Sequence, residues 1–126
     1  MRNVLITGGT GGIGSSILDQ FHRNNYNVCV TGTNKNKLRE IEEKYNGKVK
    51  CVPCQLEDDS QIDNLVREAY EYYGSTHILI NNAGITKDNL FLRMKNEEWE
   101  EVINLNLNAN FKLTKKILKV IYHSIH

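Results

Sequence analysis

The clearest chemical signal in the chain is a glycine-rich segment, here called the glycine loop, which follows Thr7 and reads Gly8-Gly9-Thr10-Gly11-Gly12-Ile13-Gly14. The apolar run Val4-Leu5-Ile6 precedes it, and apolar residues at helical spacing, Ile17 and Phe21 among them, come after it. Backbone without Cβ atoms can approach a pyrophosphate closely, and the free N–H groups at a helix start face its negative charge. A strand, a glycine loop and a helix in this order predict a dinucleotide-binding site, whereas glycines alone would indicate only a turn.

A second segment with a permissive backbone follows the apolar residues Ile78-Leu79-Ile80 and reads Asn81-Asn82-Ala83-Gly84. Ala83 and Gly84 allow another backbone or a ligand to come close, and the asparagine side chains can join neighbouring strand ends. By themselves these four residues would indicate a turn. Their placement at the end of an apolar run makes them a candidate second part of the same site.

The pair Cys51 and Cys54 has the C-x-x-C spacing of redox and metal sites. It lies in a predicted strand, not at a helix start, where the helix dipole would lower a thiol pKa. Residues i and i+3 of a strand lie about 10 Å apart, whereas a disulfide tolerates Cα separations up to ~7 Å. The chain has three cysteines, so no second pair completes a zinc site. We therefore expect buried, inert cysteines and no metal site.

The composition limits the remaining functions. The 126 residues fit one domain, and an apolar share of 40% supports a normal core. The formal net charge of +1 favours neither nucleic acid nor an anionic membrane as a partner. No apolar run approaches the ~20 residues of a membrane span, and the first strand begins too early to leave room for a signal peptide. We therefore expect a cytoplasmic protein that binds neither nucleic acid nor membrane.

Strands and helices alternate along the whole chain. The patterns predict strands at 3–7, 27–32, 48–56 and 77–81, and helices at 12–24, 35–45, from 58 or 59 to 73, and from 96 into the C-terminus. A loop is expected from residue 83 to about residue 95. This alternation predicts an α/β fold with a parallel sheet in the order 3-2-1-4. Strands one and four are then neighbours, so the glycine loop and the 81–84 segment should meet at the carboxyl edge, where ligands bind.

Together these segments resemble the short-chain dehydrogenase/reductase family, in which T-G-x-x-x-G-x-G is followed by N-N-A-G. The resemblance extends to about residue 120. Residues 82–90, 93–95 and 97–99 are similar to those of 3-oxoacyl-[acyl-carrier-protein] reductases of fatty-acid synthesis in particular. The resemblance implies a Rossmann-like doubly wound sheet, here truncated after strand four. It also implies an oxidoreductase that reduces a β-keto acyl thioester to the 3-hydroxy form, with an acyl carrier protein-bound substrate as its partner.

The same resemblance implies a set of cofactor contacts. The glycine loop would lie over the phosphates, Thr33 would lie at the adenosine ribose phosphate, and Asn82 would contact the cofactor backbone. Gln55 and Leu56 stand where the family usually has Asp-Val or Asn-Val beside the adenine. The candidate cofactor-binding residues are Gly8, Gly9, Thr10, Gly11, Gly12, Ile13, Gly14, Thr33, Gln55, Leu56, Asn82, Ala83 and Gly84.

The charge near Thr33 predicts the choice of cofactor. Enzymes that use NAD place a carboxylate about 20 residues after the glycine motif to bind the ribose 2′-OH. Here residues 31–34 carry no acid, the first carboxylate is Glu40, and Lys35 and Lys37 stand nearby. A 2′-phosphate would meet no repulsion, so we expect NADP (NADPH). The alternative for the lysines is a solvated helix start with Asn34 as its N-cap.

A candidate catalytic residue, Asn106, lies in the predicted last helix. Asparagine is a poor residue inside a helix, yet Asn104, Asn106 and Asn108 occur within five positions. The residue that matches Asn106 in the resembling family belongs to a catalytic Asn-Ser-Tyr-Lys set and holds a water of the proton relay. The resemblance therefore implies a catalytic role for Asn106, whereas Asn104 and Asn108 are expected to face solvent.

The other members of that catalytic set have no counterpart in the sequence. In the family the Tyr donates a proton, the Lys lowers the pKa of that Tyr, and the Ser orients the carbonyl. No Tyr-x-x-x-Lys follows Asn106. We therefore expect one domain, residues 1–126, equivalent to the N-terminal half of a reductase and inactive alone. A non-catalytic nucleotide-binding or reductase-partner module and a decayed fragment remain as alternatives.

Self-association is a further expectation. Strand four should have an open edge, and the final helix carries apolar residues, such as Phe111, Ile117 and Leu118, that are too spread for one buried face. In the resembling family this helix also packs against its twin in a dimer.

Overall fold

The computed structural model describes residues 2–83 and 94–125, which form one four-stranded parallel sheet with helices on both faces. The strands are β1 (Asn3–Thr7), β2 (Asn27–Gly32), β3 (Lys50–Pro53) and β4 (Ile78–Asn81). Their order is β3-β2-β1-β4, and every pairing is parallel. The predicted α/β class and strand order are thus confirmed.

The helices follow the strands in strict alternation up to β4. They are α1 (Gly12–Arg23), α2 (Lys35–Lys44), α3 (Asp59–Tyr73), α4 (Asn96–Ile103) and α5 (Asn110–Ile125), with a π-helical turn at Asn104–Ala109 between the last two. Asp58 caps α3, since its carboxylate accepts from the main-chain nitrogen atoms of Ser60 and Gln61. Within residues 2–83 and 94–125, no helix is long and apolar enough to cross a membrane.

Two predicted elements were wrong in their extent, whereas the other bounds agree to within one residue. The third strand, predicted over 48–56, spans only Lys50–Pro53. Lys48 still belongs to the turn after α2, where its N–H donates to the Tyr45 carbonyl. At the other end, the Cys54 N–H makes a last bond to the Gly32 carbonyl (3.0 Å), where the neighbouring strand β2 itself ends. The last helix, predicted as continuous, is interrupted by the π turn, which falls on the asparagine-rich stretch.

The sheet separates two hydrophobic layers because side chains alternate along each strand. On β1, Val4 and Ile6 face α1 and α2, whereas Leu5 faces α3 and α5. The first layer contains Val4, Ile6, Leu18, Val28, Val30, Leu38, Tyr45 and Val49. The second contains Leu5, Cys29, Val52, Cys54, Leu56, Ile62, Leu65, Val66, Ala69, Ala109, Leu113 and Ile117. Both faces of the sheet are therefore covered, as a parallel sheet requires.

The amino edge of the sheet is fastened by the buried side chain of Asn3. Its Nδ2 donates to the carbonyl oxygens of Tyr73 (2.7 Å) and Ser75 (2.8 Å), and its Oδ1 accepts from Asn27 Nδ2 (2.9 Å). One amide thus joins the start of β1 to the start of β2 and to the connection that leads into β4. These bonds fix the strands at the amino edge of the sheet, and the glycine loop lies at the opposite, carboxyl edge.

Candidate functional site

The glycine loop connects β1 directly to α1 at the carboxyl edge of the sheet. Gly8 has a positive φ of 66°, and the Gly11 N–H donates to the Gly8 carbonyl oxygen at 3.3 Å, which closes a tight turn. The helix begins at Gly12, with Gly11 as its N-cap. The sequence therefore folds as the predicted strand, glycine turn and helix.

Three of the glycines are required by packing inside the protein. A Cβ on Gly9 would lie 2.2 Å from Val30 Cγ1, and one on Gly14 would lie 2.1 Å from the Gly8 carbonyl oxygen. A Cβ on Gly8 would lie 3.0 Å from the Ala83 backbone. These close approaches hold the loop against β2 and against the end of β4.

Gly11 and Gly12 have no such reason to be glycine. A Cβ on Gly12 would have no heavy atom of the described residues within 4 Å, and one on Gly11 would meet only the Gly8 carbonyl oxygen, at 3.7 Å. Neither residue has a positive φ. Ile13 beside them is 72% exposed, which is unusual for a large apolar side chain. These residues form an open cradle that Cβ atoms would fill, and a cradle of this kind suits a pyrophosphate.

The electrostatic environment at the N-terminus of α1 favours a bound anion. The first N–H groups of any helix lack intrahelical partners, and they carry partial positive charge. Among the described residues no side chain caps this helix, and its first turn contains no acidic residue. The N–H groups above the cradle are therefore available to a negatively charged ligand.

The end of β4 lies beside the glycine loop, as the predicted strand order required. Asn82 Nδ2 donates to the Gly8 carbonyl oxygen (3.1 Å), and the Asn82 main-chain N–H donates to Thr7 Oγ1 (3.0 Å). Ala83 lies against Gly8. The structure thus brings Asn82 and Ala83 to the loop, whereas Gly84, the remaining candidate in this segment, lies outside the described residues.

Thr33 lies one residue beyond β2, at the same edge of the sheet as the glycine loop, and its side chain is exposed. Thr10 of the loop packs on the neighbouring Gly32, where a Cβ would lie 3.1 Å from Thr10 Cγ2. Asn34 caps α2, because its Oδ1 accepts from the Lys37 N–H at 3.1 Å. The N-cap interpretation of Asn34 is therefore confirmed, and Lys37 is exposed in the first turn of α2.

Gln55 and Leu56 follow β3, and their side chains differ in solvent exposure. The Gln55 side chain is exposed, and its main-chain N–H donates to Gln61 Oε1 at 2.7 Å. The Leu56 side chain is 5% exposed and belongs to the core under α3 and α5. The Gln55 side chain is therefore accessible to a ligand, whereas the Leu56 side chain is not.

Asn106 lies within the π turn, where its side chain is half-buried. Asn108 is exposed as expected, but Asn104 is half-buried, which corrects that expectation. Sequence reasoning missed the π turn itself. The signal was present, since asparagines at every second position from 104 to 110 fit no helical period and disfavour an α-helix. Single π turns inside helices occur frequently at functional sites.

The three cysteines are free thiols, and two of them, Cys29 and Cys54, are buried. Cys51 is half-buried, which corrects the expectation that all three are buried, because β3 is an edge strand. Burial raises the pKa of Cys29 and of Cys51 to about 12 and that of Cys54 to about 11. These thiols are protonated at neutral pH, as expected for inert cysteines.

The chain is similar over nearly its whole length to known reductases. The family model for short chain dehydrogenase matches residues 2–124. The 3-oxoacyl-[acyl-carrier-protein] reductase FabG of Rickettsia bellii (strain RML369-C) is 39% identical over 122 residues, which cover 94% of this chain and 47% of that protein. FabG of Escherichia coli (strain K12) is 33% identical over 122 residues, covering 97% and 50%.

A solved structure shows the same fold. A variant of the actinorhodin polyketide ketoreductase, crystallised with NADPH, superposes with a TM-score of 0.89 at 29% identity and covers 94% of this chain and 47% of that one. The chain spans about half the length of the relatives that it matches.

Proposed function

This chain belongs to the short-chain dehydrogenase family, and we propose that it binds NADPH as the cofactor-binding half of a 3-oxoacyl thioester reductase. One observation carries the proposal. Neither the backbone conformation nor the packing of the described residues requires glycine at Gly11 and Gly12, which are the N-cap and the first residue of α1, a helix that no described side chain caps. Glycine at such a place is explained by a ligand that must come close to the backbone.

The remaining candidates have roles in the same proposal. The pyrophosphate lies against Gly8, Gly9, Thr10, Gly11, Gly12, Ile13 and Gly14, the adenosine end lies near Thr33, Gln55 and the main chain of Leu56, and the rest of the cofactor lies near Asn82, Ala83 and Gly84. The absence of a carboxylate from residues 31–34 favours NADPH over NADH. When bound, this cofactor supplies a hydride to a carbonyl carbon. We propose the cytoplasm as its compartment.

The substrate class follows from the relatives. Proteins named 3-oxoacyl-[acyl-carrier-protein] reductase recur among them, so we propose a β-keto acyl group on an acyl carrier protein as the substrate. Asn106 would hold a water of the proton relay. Carbonyl reduction also needs a general acid, which typically contributes about 10²–10⁴-fold, and no Tyr-x-x-x-Lys follows Asn106. The 126-residue chain alone is therefore proposed to reduce carbonyls negligibly.

A second candidate is a non-catalytic module that holds the nucleotide or a reductase partner, since these 126 residues carry no Tyr-x-x-x-Lys after Asn106. The two candidates share the cradle and differ only in chemistry. A decayed fragment would have neither property. In each case we propose that copies of the chain self-associate through apolar side chains that α5 exposes, Phe111 and Leu118 among them.

Isothermal titration with NADPH tests the cradle. The wild-type chain is expected to bind, and Gly12→Val is expected to bind at least about tenfold more weakly, because the added side chain fills the place of the pyrophosphate. Gln20→Val is the matched control, since it adds the same side chain to an exposed position eight residues further along α1. Equal affinity for wild type and Gly12→Val would show that the loop is only a turn.

A reductase assay separates the two candidates. NADPH consumption with an acetoacetyl thioester should stay at background for the chain alone. If turnover appears when a polypeptide with the family's Ser, Tyr and Lys is added, the reductase is supported. NADPH binding without turnover in that mixture supports the module, and absence of NADPH binding supports the decayed fragment.

A further inference from the structure

The π turn at Asn104–Ala109 changes the main-chain hydrogen bonds around Asn106. In an α-helix the carbonyl of residue 106 accepts from the N–H of residue 110, whereas a π turn shifts the pairing to i→i+5. In this structure the Asn110 main-chain N–H is directed to the Leu107 carbonyl. The Asn110 main-chain N–H therefore does not donate to the Asn106 carbonyl, as it would in an α-helix.

The side chain of Asn110 donates a hydrogen bond to this carbonyl. Its Nδ2 donates to the Asn106 carbonyl oxygen at 2.9 Å, a normal hydrogen-bond length. Asparagine side chains can hydrogen-bond nearby main-chain groups in competition with the helix ladder, and serine and threonine donors to the i−4 carbonyl often bend helices. The contact therefore favours the π turn over a regular α-helix at the position that presents Asn106.

The oxygen of the same side-chain amide lacks a donor within the part of the chain that the structure describes. Asn110 Oδ1 is buried and has no hydrogen-bond partner among the described residues. A buried acceptor without a donor costs free energy, and an apolar side chain of similar size would avoid that cost. Stability alone therefore does not explain an asparagine here, whereas the bond to the Asn106 carbonyl does.

We propose that Asn110 is a positioning residue that holds the π turn open and thereby sets the orientation of Asn106. The effect of Asn110 on the helix hydrogen bonds follows from its bond to the Asn106 carbonyl and does not depend on the proposed function. Its catalytic meaning rests on the proposed function, in which Asn106 holds a water of the proton relay. Asn110 itself has no assigned contact with cofactor or substrate.

Threonine and valine at position 110 give a matched test, because they differ only in a hydroxyl. The hydroxyl of Asn110→Thr can donate to the i−4 carbonyl, and Asn110→Val cannot. Scalar couplings through hydrogen bonds, measured by NMR on ¹⁵N,¹³C-labelled protein, report which nitrogen pairs with the Asn106 carbonyl carbon. Asn110→Ala serves as a second variant without a donor, should the valine variant fold poorly.

In wild type we expect a coupling from the Asn110 side-chain nitrogen to the Asn106 carbonyl carbon and none from the main-chain nitrogen of residue 110. In the valine and alanine variants the main-chain coupling should appear, and the side-chain amide resonances of Asn106 should shift. In the threonine variant those resonances should stay near their wild-type positions. A main-chain coupling in wild type, or equal Asn106 shifts in the threonine and valine variants, would overturn the proposal.

NADPH titration of the same samples tests the proposed function separately from the proposed role of Asn110. If wild type binds no NADPH, the proposed function fails, but the register result still decides the role of Asn110. We expect Asn110→Val to bind NADPH as tightly as wild type, since Asn110 lies on α5 and not on the glycine loop.

Discussion

Thr7 Oγ1 lies 2.9 Å from the main-chain nitrogen of Ala83 and accepts its hydrogen bond across the end of the sheet. The same oxygen accepts from the neighbouring N–H of Asn82. One buried hydroxyl at the end of β1 thus satisfies two consecutive donors that follow β4, in the segment that flanks the glycine loop.

Thr7→Val should destabilise the protein by about 1–3 kcal/mol, because the Ala83 N–H loses its acceptor and the Asn82 N–H keeps only the Ile80 carbonyl, while the shape of the side chain is kept. Urea unfolding followed by circular dichroism measures the change. Thr7→Ser keeps the hydroxyl and should lie closer to wild type. A valine variant as stable as the serine variant would mean that water replaces the hydroxyl without cost.

Gly14→Ala should destabilise the protein by about 3 kcal/mol, because a Cβ there would overlap the Gly8 carbonyl oxygen. Gly12→Ala should change stability by no more than about 0.5 kcal/mol, since its Cβ would point into open space. Thermal melts of the two variants give the contrast. Similar melting temperatures would contradict the assignment of Gly14 to packing and of Gly12 to the ligand.

Thr33→Asp should weaken NADPH binding by at least about tenfold, because it places a carboxylate where the 2′-phosphate is proposed to lie. Thr33 is exposed, so the fold should be unaffected. Titration with NADPH and NADH is the measurement, and Thr33→Asn is the uncharged control of the same shape. If Asp and Asn weaken NADPH binding equally, charge at this position does not select the cofactor.

The cysteines should react slowly with alkylating agents in the native state. Burial raises the pKa of Cys54 from 9.0 to about 11, which lowers its thiolate fraction about a hundredfold at neutral pH. Mass spectrometry after iodoacetamide treatment at pH 8 should show little modification until urea is added. Rapid modification of native Cys54 would contradict this burial.

The same thiols make stability fall in alkali. Above pH 9.0 the unfolded chain loses thiol protons that the folded chain keeps, so folding stability present at neutral pH declines as pH rises toward 11–12. Urea midpoints at pH 7 and pH 10 give the decline. Cys54→Ala, which removes one such thiol, should show a smaller decline than wild type.

Phe111→Lys and Leu118→Lys should reduce self-association, because both side chains are large, apolar and exposed on α5. They are seven residues apart, two turns of the helix, and so lie on one face. Light scattering at micromolar concentration measures the mass. Tyr70→Lys on α3 is the control, since Tyr70 is also exposed. A monodisperse wild-type monomer would show that these side chains have no partner in solution.

The sequence predicted the sheet and the glycine loop because their signals are local. Apolar residues recur at the spacing of a strand or a helix, and the glycines lie between two such segments. The order β3-β2-β1-β4 follows from right-handed crossovers between the predicted strands. The short β3 was missed because its end depends on where its only neighbour in the sheet, β2, ends, and the apolar pattern of residues 48–56 does not show this. The π turn was missed because the alternating asparagines at 104–110 disfavour a regular α-helix without specifying which irregular turn replaces it.

The Asn3 amide bonds also bear on the order in which the chain can fold during synthesis. Asn3 lies on β1, one of the two interior strands, yet its partners Tyr73 and Ser75 are 70 and 72 residues further along. At about 5–20 residues per second, a ribosome needs roughly 4 to 14 s to make that interval. Until then one side of β1 has no strand to pair with, so a chaperone that shields nascent strands would act most usefully on this interval.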